Sequence, residues 1–252
     1  DGNTITNDGQ FHLPNTGSFT LLDNFTNNGT TTVNSATSIG AQGFTNTNYF
    51  SAPSALTFDT SGTFSNSGNL YLDSLNTLNV NADFSNSGYI SAATLQDLNI
   101  TNSTFSFDGD WNLSATYNMT INSGGVLTHA ANDCTRENYL DLTLDNLTIN
   151  EGGAINLDEK GYIGGRSYEE DGCGPGAGLG GSSHGGGAGH GGVGRGSGGW
   201  EYGSTTAPVT LGSGGGAGDS LDAGDGGGAV KISISNQFIH SGSISANGTN
   251  GR

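Results

Sequence analysis

Asp219, Asp222 and Asp225 stand three residues apart in a glycine-rich stretch, and Glu169, Glu170 and Asp171 are adjacent. Oxygen-rich loops of this kind take Ca2+. The spacing departs from the EF-hand loop and from the nonapeptide calcium repeat, so a solvated acidic face is the other reading. His184 and His190 bring two imidazoles to the same stretch without a Cys or a third His beside them. That is short of a transition-metal ligand set. Trp200 and Tyr202 lie in the same region as candidate binding or anchoring rings.

Enzyme chemistry is not expected, and a polysaccharide-cleaving β-helix enzyme is kept only as a minor alternative. Gly189-His190-Gly191 is similar to the Gly-His-Gly of polygalacturonases, but the Asn-Thr-Asp, Asp-Asp and Arg-Ile-Lys motifs of those enzymes do not occur. In a tract so rich in glycine, Gly-His-Gly arises by chance. Pectate lyases pair a basic residue with an acidic calcium cluster. Only Arg136, Lys160, Arg166, Arg195, Lys231 and Arg252 are available here. No Gly-x-Ser-x-Gly elbow opens a helix. The glycine runs lack the Lys-Ser/Thr and the βαβ unit of a phosphate loop.

Two kinds of modification are open. Asn-x-Ser/Thr occurs at Asn24, Asn28, Asn99, Asn102, Asn112, Asn118, Asn146 and Asn247. These fit a secreted glycoprotein, although a chain rich in Asn, Ser and Thr also generates them by chance. Cys134 and Cys173 are the only cysteines. In an oxidising compartment they could pair and tie the first glycine-rich loop to the rest; otherwise they stay free thiols.

The elements that must position these residues are set by a repeat. Phe64-Ser65-Asn66-Ser67-Gly68 recurs as Phe84-Ser85-Asn86-Ser87-Gly88. Leu70, Leu72, Leu75, Leu78 and Val80 fall on Ile90, Ala92, Leu95, Leu98 and Ile100. Earlier turns place Phe44, Phe50, Ala52, Ala55, Phe58 and Thr60 in these slots, then Phe25, Thr31, Val33, Ala36 and Ile39, then Ile5, Phe11, Leu13, Thr16, Phe19 and Leu21. A period near twenty residues signals a repeat architecture. Spacings of two are strand spacings. Spacings of three mark corners, where Gly supplies backbone angles that other residues resist and Asn tolerates the left-handed region. One coil cannot bury its apolar face alone, but coils stacked about 4.8 Å apart can. The expected fold is all-β, a parallel β-solenoid with about 20-residue coils and a long glycine-rich insertion. Ser, Thr, Asn and Gly dominate and no 3.6-residue apolar stripe occurs, which argues against helices. A β-sandwich would show irregular loops.

Six Lys and Arg face 23 Asp and Glu, a net charge of −17. That opposes binding to nucleic acid and to anionic membranes and tolerates bound cations. No run of 18 apolar residues exists to span a membrane. No signal peptide is visible, and the chain begins inside its first coil, as a processed protein or a fragment would.

Composition divides the chain. Residues 1–104 are regular coils. Residues 105–151 are looser coils, with Trp111, Leu113, Tyr117, Met119 and Ile121 partly alternating and a Cys-containing loop at 134–139. Residues 152–228 hold 31 of the 46 glycines. They read either as a flexible linker or as an ordered insertion of extended, polyproline-like segments packed along the solenoid, with Trp200, Tyr202, Pro208, Val209 and Leu211 as anchors. Residues 229–252 return to the solenoid, with Ile239, Gly242 and Ile244 repeating the opening corner and strand.

The Phe-x-Asn-x-Gly coils of 1–100 resemble the repeats of filamentous-haemagglutinin-type adhesins. The tract ending Gly226-Gly227-Gly228-Ala229-Val230-Lys231-Ile232 is similar to large glycine-rich surface proteins of microbes and protists. The resemblance implies extracellular display, adhesion or fibre formation, and no catalytic residues. The expectation is a secreted structural glycoprotein that self-associates into a filament or cell-surface appendage. Coils run from Ile5 to Ile244 without a cap, and open edges invite stacking. The alternative is an adhesin shaft whose glycine-rich block contacts a glycan or host surface. Ice binding through a Thr-rich face is a third reading, resting on Thr30, Thr31 and Thr32.

Overall fold

A computed structural model describes residues 4–13, 18–20, 23–34, 38–55, 57–114, 116–135, 138–204, 206, 210–219 and 222–251. The expected core or anchor positions Thr16, Leu21, Ala36, Pro208 and Val209 lie outside them. Among the described residues there is no helix, and parallel strands form three sheets of nine, six and eight strands. As far as Leu113 the chain visits the sheets in turn, one strand per coil in each; beyond it the described strands alternate between the eight-stranded and nine-stranded sheets alone. This is a β-solenoid.

The register follows the repeat. Phe64 pairs with Phe44 on one side and Phe84 on the other. Leu70 lies between Phe50 and Ile90, and Leu78 between Phe58 and Leu98. The looser coils keep the columns: Trp111 pairs with Ile90, Met119 with Leu98 and Leu147, and Ile121 with Ile100 and Ile149. A turn closes within the coil where the apolar spacing is three, as Leu75 N–H donates to the Leu72 carbonyl at 2.9 Å.

Strand alternation sends both Phe and Asn of each Phe-x-Asn triplet inward. The phenylalanines form a continuous stack. Rings of Phe25, Phe44, Phe64, Phe84 and Phe105 follow one another at 5.8, 5.2, 3.9 and 4.7 Å, with interplanar angles of 30° or less. The asparagines form a second, polar column. Asn7 Nδ2 donates to Asn27 Oδ1, Asn27 to Asn46, Asn46 to Asn66 and Asn66 to Asn86, all at 2.7–2.8 Å. Asn66 Nδ2 also reaches the Gly68 and Tyr89 carbonyls. Buried amides require such partners. The column stops where the next coil lacks an Asn: Asn86 donates to the Asp108 carbonyl instead.

The glycines of these corners serve a different purpose from the one expected. Neither Gly68 nor Gly88 has a positive φ. A Cβ on Gly68 would sit 2.1 Å from the Asn48 carbonyl oxygen, and one on Gly88 2.1 Å from that of Gly68. Coil-to-coil contact, not backbone angle, excludes a side chain there. Left-handed angles enter in the looser coils, at Gly109, Gly124 and Gly152, where the expected conformational role of glycine applies. The corner asparagines are not left-handed; Asn102 is, at φ 49°.

Ile239, Gly242 and Ile244 also occupy a different slot from the one expected. Ser241 and Gly242 N–H both donate to the Ile149 carbonyl. This is the corner that leads from the eight-stranded to the nine-stranded sheet, matching Ile149–Gly153, not Phe64–Gly68.

The chain forms two compact units, one of Asp1–Thr128, Thr143–Ala154 and Ser233–Ser243, the other of His129–Leu142, Ile155–Ile232 and Ile244–Arg252. The second contains the glycine-rich stretch. There, three extended segments bond cyclically: Tyr162 N–H to Gly212, Gly212 to Gly227, and Gly226 back to Tyr162. Three residues along, Gly165 bonds to Gly215, Gly215 to Gly224, and Ala223 to Gly165. Repetition every three residues is the periodicity of polyproline II, which has no internal hydrogen bonds and so turns its groups to neighbours. Glycine is required by proximity: a Cβ on Gly214 would lie 2.0 Å from the Ile163 carbonyl oxygen. Tyr162, Leu211 and Ala229 form a small core beside Cys173.

Candidate functional site: an open coil edge

Val230–His240 is an eleven-residue strand and the last of its sheet. Its register is set by side chains. Asn236 Nδ2 donates to Asn146 Oδ1 at 2.9 Å, and Ser235 Oγ to Asp145 at 2.7 Å, both across ninety residues. That offset lays Ile239 over Ile149. Val80, Ile100, Ile121 and Ile149 are no more than 1% exposed, whereas Ile239, next in the column, is 42% exposed and its neighbour Phe238 48%. Among the described residues no strand covers this edge, so a row of backbone donors and acceptors and two large apolar side chains face outward. Edge strands normally carry charge to discourage pairing. Here the charge is Lys231, whose Nζ is held by Asp141 at 3.0 Å.

At the opposite edges stand Ile5–Asn7, Gln10–Leu13 and Phe19–Thr20, one at the end of each sheet. The strands are parallel, so the two edges differ in kind. An edge of one type can accept only the other type without reversing the chain direction.

The residues singled out by spacing are placed as follows. Cys134 and Cys173 form a disulfide with their Cα atoms 5.0 Å apart. It joins the 131–139 loop to the glycine-rich segments of the same unit. The loop is also held by buried Asn132, whose amide donates to the Lys160 and Asn138 carbonyls. Asp219, Asp222 and Asp225 do not converge: Asp225 is taken by the Arg166 guanidinium and the Gly164 N–H, while Asp222 and Asp219 are exposed. Among the described residues no three His, Cys, Asp or Glu side chains gather as a metal set. Glu170 accepts from Ser167 Oγ and Arg166 N–H, which hold its carboxyl below the usual range.

Trp200 and Tyr202 are separated in role. Trp200 is 79% exposed. Tyr202 is half-buried, its hydroxyl bonded to the Leu211 carbonyl and to Ser213 Oγ, and burial pushes its pKa up. The His190 ring meets Tyr202 edge-on at 4.8 Å, and its Nε2 lies 3.0 Å from Thr210 Oγ1. His184 and His190 both line an open cleft of about 900 Å³ with Thr210, Ser213 and Asp222, its other walls being mainly glycine backbone.

The eight sequons divide by exposure. Asn24, Asn28, Asn102, Asn112 and Asn247 are exposed, whereas Asn99, Asn118 and Asn146 are half-buried. The last three are held in outward-facing ladders: Asn99 donates to Asn79, Asn118 to Asp97, and Asn146 to Asn118. Sequence reasoning missed both these ladders and the buried one. The signal available was the recurrence of Asn at one fixed slot per coil.

No helix is long and apolar enough to cross a membrane. No protein-family model matches this chain, and no curated protein or solved structure matches it.

Proposed function

We propose that this chain is a structural β-solenoid element of an extracellular fibre or surface appendage, extended by docking the first coil of a second copy on the Val230–His240 edge. The supporting observation is the exposure of Ile239 at the end of a column in which Val80, Ile100, Ile121 and Ile149 are covered. A covering coil would remove that apolar surface from water, at ~25 cal/mol per Å², and pair the edge groups. Contacts of unlike edges do not close on themselves, so repetition gives an open filament. The Cys134–Cys173 bridge fits an oxidising compartment. The resemblance of the coils to filamentous-haemagglutinin-type repeats supports the same setting.

Sedimentation velocity and negative-stain microscopy over a concentration series test this reading. Concentration-dependent rods are expected, and Phe238→Lys with Ile239→Lys should leave only monomer. A native chain that stays monomeric at millimolar concentration overturns it. The second reading, an adhesin shaft, is favoured by Trp200, an unusually exposed ring in the glycine-rich unit. Loss of adhesion to a glycan array on Trp200→Ala, with assembly unchanged, would support it.

A further inference from the structure

The six-stranded sheet presents an outer face unlike the other two. Its outward positions alternate along each strand: Tyr49 and Ser51, then Asn69 and Tyr71, then Tyr89 and Ser91. Pairing places Asn69 between Tyr49 and Tyr89, and Tyr71 between Ser51 and Ser91. The result is a checkerboard in which each ring has small or short neighbours. The three rings form a zigzag across consecutive coils, Tyr49 to Tyr71 at 5.2 Å and Tyr71 to Tyr89 at 5.6 Å, tilted by 38° and 55°. All three are half-exposed, and Asn69 is exposed beside them. Ser51 and Ser91 are buried in the gaps, with Ser91 bonded to Asp73 and Asn112.

We propose that this face binds one extended chain of a neutral polysaccharide, laid along the direction of coil stacking across Tyr49, Tyr71 and Tyr89. Three features select that occupant. Aromatic faces stack on the C–H faces of pyranose rings, and the steps between these rings are close to the length of one sugar in an extended 1,4-linked chain. Phenol and amide groups beside the rings, at Tyr71 and Asn69, supply the polar contacts that a polyol needs and a lipid does not. The strands of this sheet contain no Lys or Arg and the whole chain carries −17, so an anionic polymer such as a uronate would be repelled. The tilts suit a twisting single chain and not the flat face of a polysaccharide crystal. The site lies on a lateral face and leaves the coil edges free, so it stands or falls independently of filament assembly.

Native affinity electrophoresis through gels containing hydroxyethyl cellulose, glucomannan or polygalacturonate tests the proposal. Retardation by at least one neutral polymer and none by polygalacturonate is expected. Tyr71→Ser should weaken retardation about tenfold, and Tyr71→Phe, which keeps the ring, should preserve most of it. No retardation of the native chain by either neutral polymer, or equal retardation of Tyr71→Ser, overturns it. Should Tyr71→Ser fail to fold, nitration of the native chain decides. The bound polymer should protect Tyr49, Tyr71 and Tyr89 but not Tyr139 or Tyr168, which are exposed elsewhere at 53% and 55%. Equal nitration with and without polymer rejects the site.

Discussion

Asn66 and Asn86 lie twenty residues apart in the chain and 2.7 Å apart in space, amide to amide, with both side chains excluded from water. Two residues before each, Phe64 and Phe84 stack at 3.9 Å and 5°. One triplet per coil therefore supplies an apolar column and a polar column side by side.

Removing one rung of the polar column should be costly. Asn66→Ala leaves the Asn86 amide oxygen and the Tyr89 carbonyl without this donor, and Asn46 without its acceptor. The expected loss is about 2–4 kcal/mol, read from the midpoint of urea unfolding. Asn66→Asp should lose more. A buried carboxylate cannot donate, and its raised pKa makes the deficit grow as pH rises above about 4. Asn79→Ala, in an outward ladder, should cost under ~1 kcal/mol.

Corner glycines should differ sharply by position. Gly68→Ala drives a methyl group to 2.1 Å from backbone, whereas a Cβ on Gly9 meets nothing within 4 Å. Thermal unfolding should show a loss of at least ~3 kcal/mol for Gly68→Ala and a change within ~0.5 kcal/mol for Gly9→Ala.

Reduction of Cys134–Cys173 should loosen the glycine-rich unit selectively. The bridge closes a separation of 39 residues, for which loop-closure entropy gives about 4 kcal/mol. Hydrogen exchange should accelerate in 161–228 after reduction and change little in the Phe64–Asn66 and Phe84–Asn86 strands. Uniform acceleration would contradict this.

Alkaline pH should destabilise the fold through Tyr117, which is buried and whose pKa burial pushes well up. The folded pKa exceeds the unfolded one, so the stability it contributes is complete below about pH 10 and is lost as pH rises beyond that. Melting temperatures from pH 9 to 12 should fall more for the native chain than for Tyr117→Phe.

The repeat was legible because its period, its strand spacing and its inward slots are all local or periodic properties. Phe64 aligns with Phe84 in sequence and pairs with it in space, and a slip of one residue would bury Ser65 and expose the rings. Cys134 and Cys173 were nameable because there are only two. The asparagine column was not legible as a structure. Asn at a corner equally suits a left-handed turn, and only the parallel stacking of identical coils turns one amide toward the next.

The glycine-rich stretch shows the same division. Its composition left linker and packed insertion both open, because glycine has no side chain through which a partner can be inferred. The cyclic bonds among Tyr162, Gly212 and Gly227 exist only once three distant segments are brought together. The amino-acid sequence alone determined the coil, its period and which residues face inward, because alternation and repetition need no partner. Tertiary structure alone decided which glycines are sterically required, which asparagines bond, which aspartates are already paired, and where the column of covered isoleucines ends at exposed Ile239. Each of these depends on what the neighbouring coil or segment places against the residue.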